Sequence, residues 1–219
     1  MKRKVTLKVF TPLLHEFESQ LEIIHMKRDL FINHLIDCEL PYLETDLHGK
    51  RLSTSAKRFM SRSLKRLGAS QINVQLNSAT AARLDEIADG TNLVRDSFIN
   101  RLLYLSLGSD SLLRFFEVRP DHIGLHPRSL PMGYLHAMHE IQADPLGDLR
   151  RLVKAKYGFG LYLAQLPVEL AAFECYLDDE TFWDKYSIAS NEQDTANDVL
   201  RSFESTIYQA QLGPVQGWV

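Results

Sequence analysis

The sequence predicts a mainly helical protein with short β strands, made of two copies of one strand–helix–helix unit followed by a small α+β domain. Two observations carry that expectation. The octapeptide RDLFINHL, Arg28 to Leu35, returns as RDSFINRL, Arg95 to Leu102. The match also continues without a gap at a constant offset of 67 residues, laying VTLKVFTPLLHEFESQLEIIHMKRDLFINHLI over INVQLNSATAARLDEIADGTNLVRDSFINRLL.

Each copy opens on a period-two segment. Val5, Leu7 and Val9 align with Ile72, Val74 and Leu76, and polar residues stand between them. That is the pattern of a strand with one buried and one exposed face. Thr11 and Ser78 follow as N-cap candidates, with Pro12 suited to a first helical turn. Leu14, Phe17, Leu21 and Ile24, like Ala81, Leu84, Ile87 and Ala88, recur at helical spacing. Gly90-Thr91-Asn92 breaks the second copy's helix, where the first has Ile23-Ile24-His25. A second helix begins near Arg28 or Arg95, with Phe31, Ile32, Leu35 and Ile36, or Phe98, Ile99, Leu102 and Leu103, on its apolar side. A unit of roughly 35 to 40 residues with one strand leaves backbone groups unpaired and buries too little apolar surface to fold alone. Two copies resolve both difficulties by pairing their strands antiparallel and packing four helices behind the ribbon. The unlike strand faces favour pairing within one chain. The expected organisation is a first unit at 1–40, a basic helical linker at 41–70, a second unit at 71–108 and a C-terminal domain at 109–219.

Composition narrows the function classes. The 219 residues are 45% hydrophobic, enough for a real core. The net charge of -3 conceals 16 Lys+Arg against 12 Asp+Glu in residues 1–108, and 9 against 16 thereafter. Cys38 and Cys175 stand far apart without metal-ligand spacing, which fits a reducing, cytoplasmic compartment. No apolar stretch reaches the roughly 18 residues that span a bilayer, and Met1-Lys2-Arg3-Lys4 leads into the alternating segment rather than a signal-peptide core. No phosphate loop, nucleophile elbow or acid pair supports an enzyme, and no cofactor is expected.

The paired strand–helix–helix units, over about 5–40 and 72–108, resemble the ribbon-helix-helix DNA-binding proteins, the Arc- and MetJ-like family, here as a tandem pseudo-dimer within one chain. In that family the outward ribbon face enters the major groove. The matching positions are Lys4, Thr6 and Lys8 on one strand and Asn73, Gln75 and Asn77 on the other. Lysine donates to guanine O6/N7, amides pair with adenine, and threonine does either or touches a thymine methyl. The face carries no acidic group in either copy. One strand is basic and the other carries amides, so the two halves are expected to read different bases.

The resemblance also sets the start of the second helix against a phosphate. The positions are Met26-Lys27-Arg28 and Leu93-Val94-Arg95, with Lys27, Arg28 and Arg95 as contacts. Asp29 and Asp96 are read as helix-start residues, and Asn33 and Asn100 as paired structural polars. Between the copies, HGKRLSTSAKRFMSRSLKRLGAS has Ser53 or Ser55 as cap, a stripe of Leu52, Phe59, Met60, Leu64 and Leu67, Gly68 as stop, and no acid. Lys57, Arg58, Arg62, Lys65 and Arg66 make it a phosphate clamp, with a membrane-surface anchor or a solvated face as competing readings.

Beyond Ser109 the sequence offers a Pro/Gly/His-rich loop, a helix near Leu146–Lys156, two apolar segments, an acidic turn at Asp178-Asp179-Glu180 and a late helix near Asn191–Gln211. His122, His126, His136 and His139 lie near Asp121 and Glu140, but their spacing matches no recognised zinc pattern, so no metal is assigned. The leading expectation is a sequence-specific regulator, a repressor, that binds double-stranded DNA and forms homo-oligomers through its C-terminal domain. The alternatives are an antitoxin-type protein whose acidic back half holds a toxin-like partner, and a metal-dependent sensor or enzyme in residues 109–219.

Overall fold

Both alternating segments form strands, and each strand runs straight into a helix. A computed structural model describes residues 1–23, 25–107, 115–118 and 144–177. In chain order it contains β1 (Lys2–Phe10), α1 (Thr11–Ile23), α2 (Arg28–Asp46), α3 (Thr54–Arg66), β2 (Ala69–Asn77), α4 (Ser78–Thr91), α5 (Arg95–Ser106), α6 (Gly147–Tyr157) and a 3-10 helix (Val168–Phe173). The protein is thus mainly helical with one small antiparallel sheet, β1 against β2. The start of each element from β2 to α5 lies 67 residues after that of its counterpart, the separation that also relates Thr6 to Asn73. The first unit departs from the second by running α2 on through Pro41 to Asp46, past the expected boundary at residue 40.

In the strand register Thr6 faces Asn73, so an approximate twofold axis passes between two corresponding positions. Val5, Leu7, Val9, Ile72, Val74 and Leu76 are buried on the inner face. Phe17 of α1 and Phe31 of α2 meet behind it with ring centroids 5.6 Å apart, and Phe98 and Ile99 of α5 are sealed in the same core.

A two-stranded ribbon has two edges whose backbone groups need partners. The duplicated octapeptide supplies them, each copy to the other's strand. Asp29 accepts from the Gln75 N–H at 3.0 Å, and Asp96 from the Lys8 N–H at 3.2 Å. Asn33 accepts from the Asn77 N–H at 2.7 Å, and Asn100 from the Phe10 N–H at 2.8 Å. Arg28 donates to the Asn73 carbonyl at 3.2 Å, and Arg95 to that of Thr6 at 3.3 Å. These three residue types recur because each edge of the ribbon presents the same backbone groups.

Thr11 and Ser78 do not cap their own helices. Because no loop separates strand from helix, both are already helical, and their hydroxyls reach across the ribbon. Thr11 donates to the Gly68 carbonyl at 2.7 Å and Ser78 to that of Met1 at 3.1 Å, closing the two ends alike. The helix breaks correspond as well. His25 and Asn92 both take left-handed backbone, at φ 54° and 59°, which costs asparagine less than most residues.

The described part of the C-terminal region packs onto this framework. One buried apolar cluster runs continuously from Val5 to Cys175. α5 is therefore buried on every side from Ser97 to Ser106, and its Arg101 pairs with Glu174 at 2.8 Å while donating to the Leu161 and Ala164 carbonyls. A second buried pair joins Arg150 of α6 to Glu39 of α2, which also accepts from the Tyr162 hydroxyl. Asp46 takes the Tyr162 N–H at 3.0 Å and lies so close to Gly160 that any side chain there would collide with it. The helix expected near Leu146–Lys156 is α6. Among the described residues after β2 there is no strand, unlike the α+β expectation. The late helix near Asn191–Gln211, the acidic turn and the four histidines lie outside the described residues. No described helix is long and apolar enough to cross a membrane.

Candidate nucleic-acid interface

Since inner and outer residues alternate, burial of the valines and leucines fixes what the other face shows. Lys2, Lys4, Thr6 and Lys8 of β1 and Gln71, Asn73, Gln75 and Asn77 of β2 are all exposed. The register couples them across the strands as Lys2·Asn77, Lys4·Gln75, Thr6·Asn73 and Lys8·Gln71. The central pair is joined by a hydrogen bond from the Thr6 hydroxyl to Asn73 Oδ1 at 3.0 Å. Among the described residues the side chains of these lysines and glutamines form no hydrogen bond or ion pair, although the Lys8 ammonium lies near enough to Asp96 to lower that carboxyl's pKa.

The pairing refines the expectation that a basic strand and an amide strand give two unlike halves. Next to the central pair each half holds one lysine–glutamine rung, because antiparallel strands set the lysine of one against the amide of the other on both sides of the axis, and the Lys4 half adds a further rung, Lys2·Asn77. The twofold exchanges Lys4 with Gln71 and Lys8 with Gln75, so the two inner rungs have the same composition in swapped order, whereas Lys2·Asn77 corresponds to Ala69 and the buried Phe10. Gln71 joins the residues that the sequence places on this face. Its signal in the sequence is its correspondence to Lys4 at the repeat offset, one residue before the matched segments begin. Asn77, by contrast, sits at the ribbon's end as the residue before α4, opposite Lys2 rather than near the axis.

The phosphate candidates divide into two groups. Arg28 is drawn onto the ribbon edge by Glu18 at 2.8 Å and Asp29 at 3.2 Å, and Arg95 by Asp85 at 3.1 Å. Glu18 and Asp85 are again corresponding positions. Both arginines therefore spend their charge within the fold. Burial raises the Asp96 carboxyl above its usual range, against the pull of the Lys8 N–H and Arg95. At the helix starts neither Lys27 nor Val94 makes a side-chain cap; the start of α2 is partly exposed, whereas Val94 and Ser97 at the start of α5 are buried. Lys27 itself is exposed.

On α3, Ser53 is the cap and accepts from the Ala56 N–H at 3.1 Å. Ala56, Met60 and Leu64 turn inward with Leu52 and Leu67, and Phe59 is half-buried. Lys57 donates to Asn92 Oδ1 at 2.9 Å. Arg58, Arg62, Lys65 and Arg66 are exposed, and none forms an ion pair among the described residues. No protein-family model, curated protein or solved structure matches the chain.

Proposed function

We propose that this protein is a sequence-specific DNA-binding regulator of the ribbon-helix-helix type, carrying both units of the usual dimer in one chain and acting as a repressor by occupying its operator. The outer face of β1 and β2 enters the major groove, which is wide enough for a two-stranded ribbon. Lys4 and Lys8 donate to guanine O6/N7, Gln71 and Gln75 pair with adenine N6/N7, and the joined Thr6 and Asn73 lie over the centre of the site. Lys27 and the uncapped helix starts of α2 and α5 meet the flanking phosphates.

One observation carries the reading: a ribbon face whose strands bear no acid and on which an exposed lysine–glutamine rung stands on either side of an approximate twofold axis. A merely solvated face has no need of that arrangement. A strand exposed only to water gains from mixed charges, and this one has none of the negative sign.

The test is fluorescence anisotropy on a duplex enriched from a random library by the purified protein, with scrambled duplex as control and salt as the variable. Binding should exceed the control and weaken steeply with salt as counterions are released. Lys8→Ala and Gln75→Ala should each remove about 1–3 kcal/mol of discrimination, the worth of one good base contact, while leaving control binding nearly unchanged. Equal affinity for both duplexes, with no effect of either substitution, would contradict the proposal.

A further inference from the structure

The helix between the copies exists only once. Its amino end is tied to the turn between α4 and α5: the Leu52 N–H donates to the Thr91 carbonyl at 2.8 Å, Asn92 Nδ2 to the Leu52 carbonyl at 2.8 Å, and Arg51 to the Gly90 carbonyl at 3.2 Å. Its carboxyl end passes through Leu67 and Gly68 directly into β2, where Thr11 grips the Gly68 carbonyl. α3 thus runs from the start of α5, whose Asp96 holds the Lys8 edge of the ribbon, to the ribbon end next to the Lys8·Gln71 pair.

Arg58, Arg62, Lys65 and Arg66 stand at i, i+4, i+7 and i+8, the spacing that gathers side chains on one face of a helix. The buried residues Ala56, Met60, Ser63 and Leu64 occupy the other face. Cations in a last helical turn complement the helix dipole, which accounts for Lys65 and Arg66 but not for Arg58 and Arg62. A solvated helix face is normally laced with i,i+4 pairs of opposite charge; α3 contains no acid at all. From Arg58 to Arg66 the helix advances about 12 Å, a length over which one DNA strand presents roughly three to four phosphates.

We propose that α3 is a one-sided phosphate clamp. It extends the contact with duplex DNA beyond the Lys8·Gln71 end of the ribbon, whereas the Lys4·Gln75 end, where Met1 meets Ser78, has the exposed Lys2 and Lys27 but no second basic helix among the described residues. This rests on the ribbon reading of the preceding section and adds a direction to it: the chain occupies its site with an unequal footprint, longer on one flank. The clamp contributes affinity and orientation, and the ribbon contributes base preference.

Hydroxyl-radical footprinting of the purified full chain on its library-enriched duplex tests this, together with the variant Arg58→Gln/Arg62→Gln/Lys65→Gln/Arg66→Gln, whose fold is checked by thermal melting. Wild-type protection should reach several base pairs further on one side of the enriched motif. In the variant that extra protection should vanish and the slope of log affinity against log salt should shrink by about 2 to 4, with the enriched motif unchanged. The wild-type footprint decides the matter even if the variant folds poorly. A symmetric wild-type footprint, or an unchanged salt slope in a folded variant, overturns the clamp alone. Failure to enrich any motif overturns the ribbon reading, and the clamp with it.

Discussion

Asn100 is a residue whose role follows from its position on a ribbon edge. Its side-chain oxygen takes the Phe10 N–H, and its amide donates to the Lys8 and Asp96 carbonyls at 2.8 and 2.7 Å, Asn100 itself being fully buried. Asn33 holds the matching Asn77 N–H in a half-exposed one. Leaving buried polar groups unpaired costs about 1–3 kcal/mol, so urea unfolding should show Asn100→Ala more destabilising than Asn33→Ala, with Asn100→Ala in or above that range. Glu39 offers a pH test. Burial pushes its carboxyl up to about 7, against the pull of Arg150 and Tyr162. A group raised above its unfolded value, near 4.5, gives stability that is full below that value and fades as pH rises through about 7. Stability should therefore fall between about pH 4.5 and 7 by an amount on the order of a few kcal/mol. In Glu39→Gln that part of the pH profile should flatten, as followed by urea midpoints across the range.

At the scale of elements, the legible features were those with a simple period. Alternation revealed β1 and β2, and the 3.6-residue stripe revealed the inner faces of α1, α2, α4 and α5, because each depends on local geometry alone. The edge clamp was half legible. The repeated Arg, Asp and Asn of the octapeptide were plain, but their targets lie 44 to 92 residues away, beyond any local pattern. The second buried face of α5 is hidden for a similar reason. Its run of Leu102-Leu103-Tyr104-Leu105 is too apolar for one stripe, a hint that a second layer covers it, yet only the fold shows that residues 161–174 supply that layer. The Arg101–Glu174 pair fastens the two layers. Glu174→Ala leaves a buried guanidinium uncompensated and should cost about 3–5 kcal/mol, whereas Arg101→Met/Glu174→Leu, which removes both charges, should recover most of the loss. Chemical denaturation of the single and double variants measures the difference.

For the whole molecule, the decisive feature is that both ribbon strands belong to one chain. Copies built on separate chains have no stable ribbon until they associate, so their unfolding midpoint rises with concentration. Here the ribbon and the core behind it form within a single chain, and the midpoint of a monomeric preparation should stay constant over a hundredfold range of protein concentration. A midpoint that climbs would mean that strands are exchanged between chains. The one-chain arrangement also frees the two strands to differ in sequence, which is how Lys4 comes to correspond to Gln71 and Lys8 to Gln75. A base-reading ribbon of this kind should prefer guanine and adenine at positions related by the twofold axis, rather than the same base at both.

The most direct test is a selection from random duplexes run in parallel with the wild-type chain and with Lys8→Gln. The wild type should enrich a motif that is symmetric in spacing but carries guanine under Lys8 and adenine at the related position under Gln75. In Lys8→Gln that guanine should become adenine, making the two positions alike while the rest of the motif stays the same. An unchanged motif, or none enriched by either protein, would contradict the account.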